Sequence, residues 1–173
     1  VETDYLELPA QLNRGAKDRE GVERLSMEDD RGKVLRTTSL AFPPKGQEPD
    51  FWYSYEVREL RGKEVTLVFK SEDPAALLRI RPGQTELRDP RAYEGPNRPR
   101  FHFSPRVGWM NDINGSYYLD GLYHIFYQAN PMYIGPAGAG FNMHWGHSVS
   151  KALVHWEEWP IAFFPDAPGQ CFS

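Results

Sequence analysis

The chain has 173 residues, 40% of them hydrophobic and 14% aromatic, enough apolar side chain for one medium domain or two small ones. A net charge of -4 gives no electrostatic reason for a nucleic-acid or anionic-membrane partner, and no apolar run approaches the ~20 residues of a membrane span. The single cysteine, Cys171, excludes an intrachain disulfide framework, and no charged segment followed by an apolar stretch stands at the start of the sequence.

In chain order, residues 11–32 mix both charges with few large apolar side chains and read as loop and edge. Residues 33–41, 51–57, 64–70 and 77–81 carry β-branched and aromatic side chains between turn residues, and are expected to be short strands of a small β-sandwich. Leu60-Arg61-Gly62-Lys63 and Arg81-Pro82-Gly83-Gln84 are the clearest turns. Trp52, Tyr53 and Tyr55 could form a sugar-stacking platform, but an alternating strand places at least one of its faces in a core, and packing is the stronger reading. From Asp89-Pro90-Arg91 to Arg100 the chain is dense in Pro and Gly, as a short stiff connector is. Composition changes there: beyond it Arg106 and Lys151 are the only Lys or Arg residues, while aromatics become frequent. The expected organisation is a β-rich module over 1–95, a connector to about 100, and a second unit over 101–173.

The second unit centres on Trp109-Met110-Asn111-Asp112-Ile113-Asn114-Gly115. Asn114 and Gly115 tolerate positive φ, so a sharp bend is expected just after Asp112, leaving its carboxylate beside the Trp109 ring and the Asn111 amide. Asp120-Gly121 is a two-residue hairpin signal between apolar runs. Pairing Leu119 with Leu122 and counting back puts Ile113 opposite Gln128 and Asp112 opposite Ala129, so Gln128 arrives at the Asp112 end. Met143, Trp145, His147 and Val149 alternate along a third strand, and 154–156 supplies a fourth. Both faces of this sheet are apolar or aromatic, as a sheet packed between neighbours requires. His144 and His147 fall on opposite faces of a strand and lack a third ligand, so no metal is expected. The glycine-rich 134–140 has no Lys-Ser/Thr and no following helix, and reads as a loop able to bring Tyr133 or Phe141 to a pocket rim.

Seven blocks in order, His102-Phe103-Ser104-Pro105, the 109–115 motif, Tyr123-His124-Ile125-Phe126-Tyr127-Gln128, Met143-His144-Trp145-Gly146-His147, Leu153-Val154-His155-Trp156, Pro165-Asp166 and Phe172-Ser173, resemble the start of the catalytic domain of glycoside hydrolase family 32. Ile113 stands where that family's motif usually has Pro. The resemblance implies an all-β protein: a small N-terminal β-sandwich-like module followed by the first blade of a five-bladed β-propeller. It implies a glycosidase cleaving β-D-fructofuranosidic bonds in levan, inulin or sucrose, secreted or at the cell surface, and needing no cofactor. Asp112 would be the nucleophile of a retaining two-carboxylate mechanism, with the carboxyls about 5–5.5 Å apart. Trp109, Asn111, Gln128, Trp145, Phe172 and Ser173 would bind the fructosyl unit. The family's acid/base glutamate and its Arg-Asp-Pro motif follow the nucleophile at greater separation than this sequence reaches, and Arg88-Asp89-Pro90, which precedes Asp112, is a coincidence. On this reading the 173 residues alone would be inactive. The alternative is a non-catalytic carbohydrate-binding protein on a propeller scaffold.

Overall fold

The computed structural model describes residues 1–11, 23–70, 73–132, 143–167 and 170. The architecture is all-β, as expected. In the first part, β1 (Tyr5–Ala10) runs between β4 (Phe51–Glu56) and the short β6 (Arg81–Gly83), while β2 (Glu23–Glu28) runs between β3 (Val34–Leu40) and β5 (Thr66–Lys70). These two three-stranded antiparallel sheets share one core of Leu8, Leu25, Met27, Leu40, Tyr55 and Val57, each at most 1% exposed. Tyr55 is therefore core, and the Trp52 ring is covered by the Arg81 guanidinium 3.6 Å from its centroid, so no open platform is formed.

Several local expectations are corrected here. Residues 77–81 are not a strand: a 3-10 helix occupies Pro74–Arg79, capped by Asp73, whose carboxylate accepts from the Ala75 amide 3.1 Å away, with Pro74 preset for a first helical turn. Arg81-Pro82-Gly83 is not a turn but β6, held by pairing to β1. The 11–32 stretch, expected as loop and edge, contains β2, the central strand of its sheet.

The second part is one antiparallel meander, β7 (Trp109–Leu119), β8 (Leu122–Asn130), β9 (His144–Ser150) and β10 (Glu157–Phe163), in the spatial order β10-β9-β8-β7. That is the form of a single propeller blade. The fourth strand starts later than 154–156, because the Ser150 hydroxyl accepts from the amides of Ala152 and Leu153, and Leu153 turns at φ 63°. One face buries Ile125, Tyr127 and Ala129 against Phe103, Met110 and Trp156. The other is an aromatic array in which His147 stacks on Phe126 at 4.3 Å and Tyr117 on His124 at 4.6 Å. Its outer rings stay open: Tyr117, Trp159 and Phe163 are 46%, 40% and 50% exposed. A blade presents such a face to its neighbour.

The two parts interlock. Phe164, just past β10, packs edge-on to Tyr55 and lies under the Arg36 guanidinium, and the Thr37 amide donates to the Pro165 carbonyl over 2.8 Å. Fully buried His144 joins this junction, edge-on to Tyr55 and Phe164. Burial first, and the positive Arg36 second, push its pKa from 6.5 down to about 3. A histidine kept neutral when folded but free to protonate when unfolded gives stability that is complete above pH 6.5 and is lost as pH falls through the folded value. The melting temperature should accordingly fall as pH drops from 6.5 to about 5, above the range of ordinary carboxylates. A His144→Gln variant should show a shallower slope across that window; superimposable slopes would remove His144 from the account.

Candidate active site

The chain enters β7 through Gly108, whose φ of 78° lies in the left-handed region and whose α-carbon sits against the Asn130 carbonyl and Pro131. Trp109 then pairs with Asn130, and Met110 with Ala129. Next, two residues, Asn111 and Asp112, stand against the single Gln128 before Ile113 pairs with Tyr127. Asn114 is a further extra residue before Gly115 pairs with Phe126. From there to the hairpin the register is the expected one, Leu119 facing Leu122.

This corrects two expectations. No turn follows Asp112: neither Asn114 nor Gly115 has positive φ, and β7 continues through them as a strand. Ile113 faces Tyr127 rather than Gln128, and Met110 rather than Asp112 faces Ala129. Two bulges take up the difference. A bulge adds a residue to one strand, raises the local twist and re-aims side chains at a sheet's rim. Gln128 still lies opposite the Asn111-Asp112 pair, by a different route from the one the hairpin count implied.

Asp112 is exposed on the edge strand, and among the described residues its carboxylate makes no hydrogen bond or ion pair. It does not cap a turn, the commonest structural use of such a residue. The Trp109 indole N–H donates to the Asn111 amide oxygen. That occupies the oxygen and leaves the Asn111 amino group as a donor beside Asp112. Gln128 is half-buried and pairs across with Trp145. The Trp145 ring is held by stacking on Phe163 at 5.3 Å and by Phe126 at 5.6 Å, so its faces serve packing. Its indole N–H is buried and has no partner among the described residues.

Asn130 was not singled out from the sequence. It is 1% exposed, pairs with Trp109, and neither atom of its amide has a partner among the described residues. An unsatisfied buried amide costs roughly 1–3 kcal/mol, a liability concentrated at functional sites. Its only trace in the sequence is an amide at a strand end just before Pro131. His144 faces the junction with the first sheets, whereas His147 bonds the His124 ring at 3.0 Å on the aromatic face. Among the described residues no three His, Cys, Asp or Glu side chains group as metal ligands. Phe172, Ser173, Tyr133, Phe141 and the glycine-rich 134–140 lie outside the described residues.

A sequence profile of the glycosyl hydrolases family 32 N-terminal domain matches residues 102–173, which include every residue of this site. Over this stretch the chain is similar in sequence to that domain. The levanase of Bacillus subtilis (strain 168) is 49% identical over 83 residues, 47% of this chain and 11% of that protein. The invertase of Schizosaccharomyces pombe (strain 972 / ATCC 24843) is 50% identical over 74 residues, covering 43% of this chain and 12% of its own length. Among solved structures, a family 32 glycoside hydrolase from Bifidobacterium adolescentis aligns with 93% of this chain and 26% of its own, at 29% identity and a TM-score of 0.40. The chain thus spans about an eighth or less of the length of these two curated relatives, and residues 1–101 lie outside the profile match.

Proposed function

We propose that this polypeptide carries the nucleophile of a retaining β-fructofuranosidase acting on levan, inulin or sucrose. The observation that carries the reading is an exposed carboxylate with no partner among the described residues, set on a double bulge beside Asn111 and opposite Gln128, within the segment that matches the family 32 profile. Levanase, invertase and the extracellular exo-inulinase of Aspergillus awamori, 50% identical over 70 residues, support a fructoside substrate and an extracellular setting.

In this mechanism ionised Asp112 attacks the anomeric C2 of a β-D-fructofuranosyl unit as the bond to the leaving oxygen breaks, giving a covalent fructosyl ester through an oxocarbenium-like transition state. The Asn111 amino group and the Gln128 amide bond fructosyl hydroxyls, contacts that discriminate strongly because leaving them unpaired is costly. Trp109 walls the site, and Trp145 offers only its N–H edge. Phe172 and Ser173 extend the binding set as the family motif implies.

A second carboxyl must protonate the leaving oxygen and then activate water. Glu157 and Glu158 do not fill that place. They lie on β10, level with Val149 and Ser148, three strands from β7. At about 4.8 Å per strand the lateral separation alone is roughly 14 Å, against the roughly 5.5 Å that retention needs. The acid/base group therefore comes from outside this sheet. With the intact protein and a β-fructoside, proton NMR should show β-D-fructofuranose first, before mutarotation. First appearance of the α-anomer, or no fructose from any of the three substrates, would overturn the reading.

A further inference from the structure

The segment that delivers Asp112 to its place is gripped from the N-terminal side of the molecule. The connector folds back so that Arg98 donates to the Ser104 hydroxyl at 3.3 Å, the Pro105 carbonyl at 2.7 Å and the Arg106 carbonyl. One fork thus fixes three consecutive residues. Arg98 is itself seated 5.2 Å over the Tyr93 ring, and the Tyr93 hydroxyl donates to Glu158 at 2.8 Å. Arg106 continues the chain of contacts. Its guanidinium, 14% exposed, is shared between Glu86, from the first part of the chain, and Glu158 of β10, and its amide also donates to Glu158. Arg88 bonds the other oxygen of Glu86 at 2.7 Å. Two residues beyond Arg106 lies Gly108, which fits only against the Asn130 backbone, and then Trp109, hydrogen-bonded to Asn111.

We infer that Arg98 and Arg106 are positioning residues for Asp112, and that the first 100 residues serve the reaction by fixing the start of β7. A double bulge at the rim of an edge strand lacks the continuous ladder that holds an ordinary strand, so its entry point must be fixed by other means. Here forked guanidiniums tie the backbone at 104–106 both to the preceding module and to β10. Neither arginine touches the substrate region, and both act through the chain between 106 and 112. A nucleophile displaced by about 1 Å costs on the order of a hundredfold in rate.

The inference rests on the fructosidase reading for its kinetic consequence, and the test separates the two. In the intact protein, Arg98→Ala and Arg106→Gln should lower kcat on a β-fructoside about 10- to 100-fold, with KM changed less than about threefold. Arg98→Lys should recover little, because an ammonium does not reproduce the planar fork. Arg91→Ala, in the same connector but paired among the described residues only with exposed Asp89, should behave as wild type. Hydrogen exchange at the amides of 109–115 should quicken in the Arg98 and Arg106 variants while that of β2 and β8 stays constant. If wild type releases no fructose, the functional reading falls, and quickened exchange still upholds the strap. Unchanged exchange across 109–115 in both variants, folded by circular dichroism, overturns the inference whatever turnover does.

Discussion

Replacing Asp112 by Asn in the intact protein should lower fructoside turnover by about four to six orders of magnitude, the scale on which enzymes lose activity when a covalent nucleophile is removed. An amide matches the carboxylate in size and still accepts a hydrogen bond, so KM should move far less than kcat. Stability should stay within about 0.5 kcal/mol, since the side chain is exposed and bonds nothing among the described residues. Asp120→Asn makes the matched comparison. Asp120 sits at the opposite end of the same hairpin with φ 50°, a conformation Asn adopts readily, and its activity should be that of wild type. Steady-state kinetics on the two variants, with thermal melts alongside, checks the contrast. Comparable turnover in both would remove Asp112 from the chemistry.

Gly108→Ala should be the most damaging single-methyl change in this region. A Cβ there would lie 2.3 Å from the Asn130 carbonyl oxygen and 2.6 Å from the Pro131 α-carbon, and both contacts are backbone that no rotamer change relieves. The φ of 78° adds the left-handed penalty of an L-residue, roughly 1–2 kcal/mol. With overpacking of about 1–3 kcal/mol the total reaches roughly 2–5 kcal/mol. At about 2–4 °C per kcal/mol for a chain of this size, the melting temperature should drop by roughly 5–15 °C. Gly121→Ala isolates the conformational part, because Gly121 has φ 83° but nothing within 4 Å of an added Cβ. Its loss should be the smaller one. Equal losses would show that the Asn130 backbone yields, and with it the fixed entry into β7.

The reach of sequence reasoning follows the range of the forces involved. Asp120-Gly121 marked the hairpin because a type I′ two-residue loop needs positive φ at both positions, and the structure has 50° and 83° there. That local rule held the register for five pairs, from Leu119-Leu122 to Gly115-Phe126. It failed at Asn114, because a bulge is set by what the strand packs on and no residue type announces it. Leu77 to Arg79 read as strand by composition, although Asp73-Pro74 upstream already spelled a helical start. β2, Glu-Arg-Leu-Ser-Met-Glu, has poor strand propensity and is made a strand by partners on both sides. At the candidate site the motif marked Asn111 and Asp112, and the hairpin brought Gln128 to their end of the sheet, though not in the pairing that its register implied. The unsatisfied Asn130 amide was not, since burial without a partner belongs to tertiary structure. Nor was the grip of Arg98 and Arg106, whose acceptors are backbone carbonyls and glutamates from 20 residues before Arg106 to 52 after it.

Turnover should pass through an ester that joins Asp112 covalently to the fructosyl unit. The direct measurement is to quench the intact protein during turnover of an activated β-fructoside whose good leaving group lets the ester accumulate, digest it at low pH, and locate the adduct by mass spectrometry. The peptide carrying Asp112 should gain one fructosyl unit, a gain absent in Asp112→Asn. A fructosyl ester on a different carboxylate, with Asp112 unmodified, would contradict it.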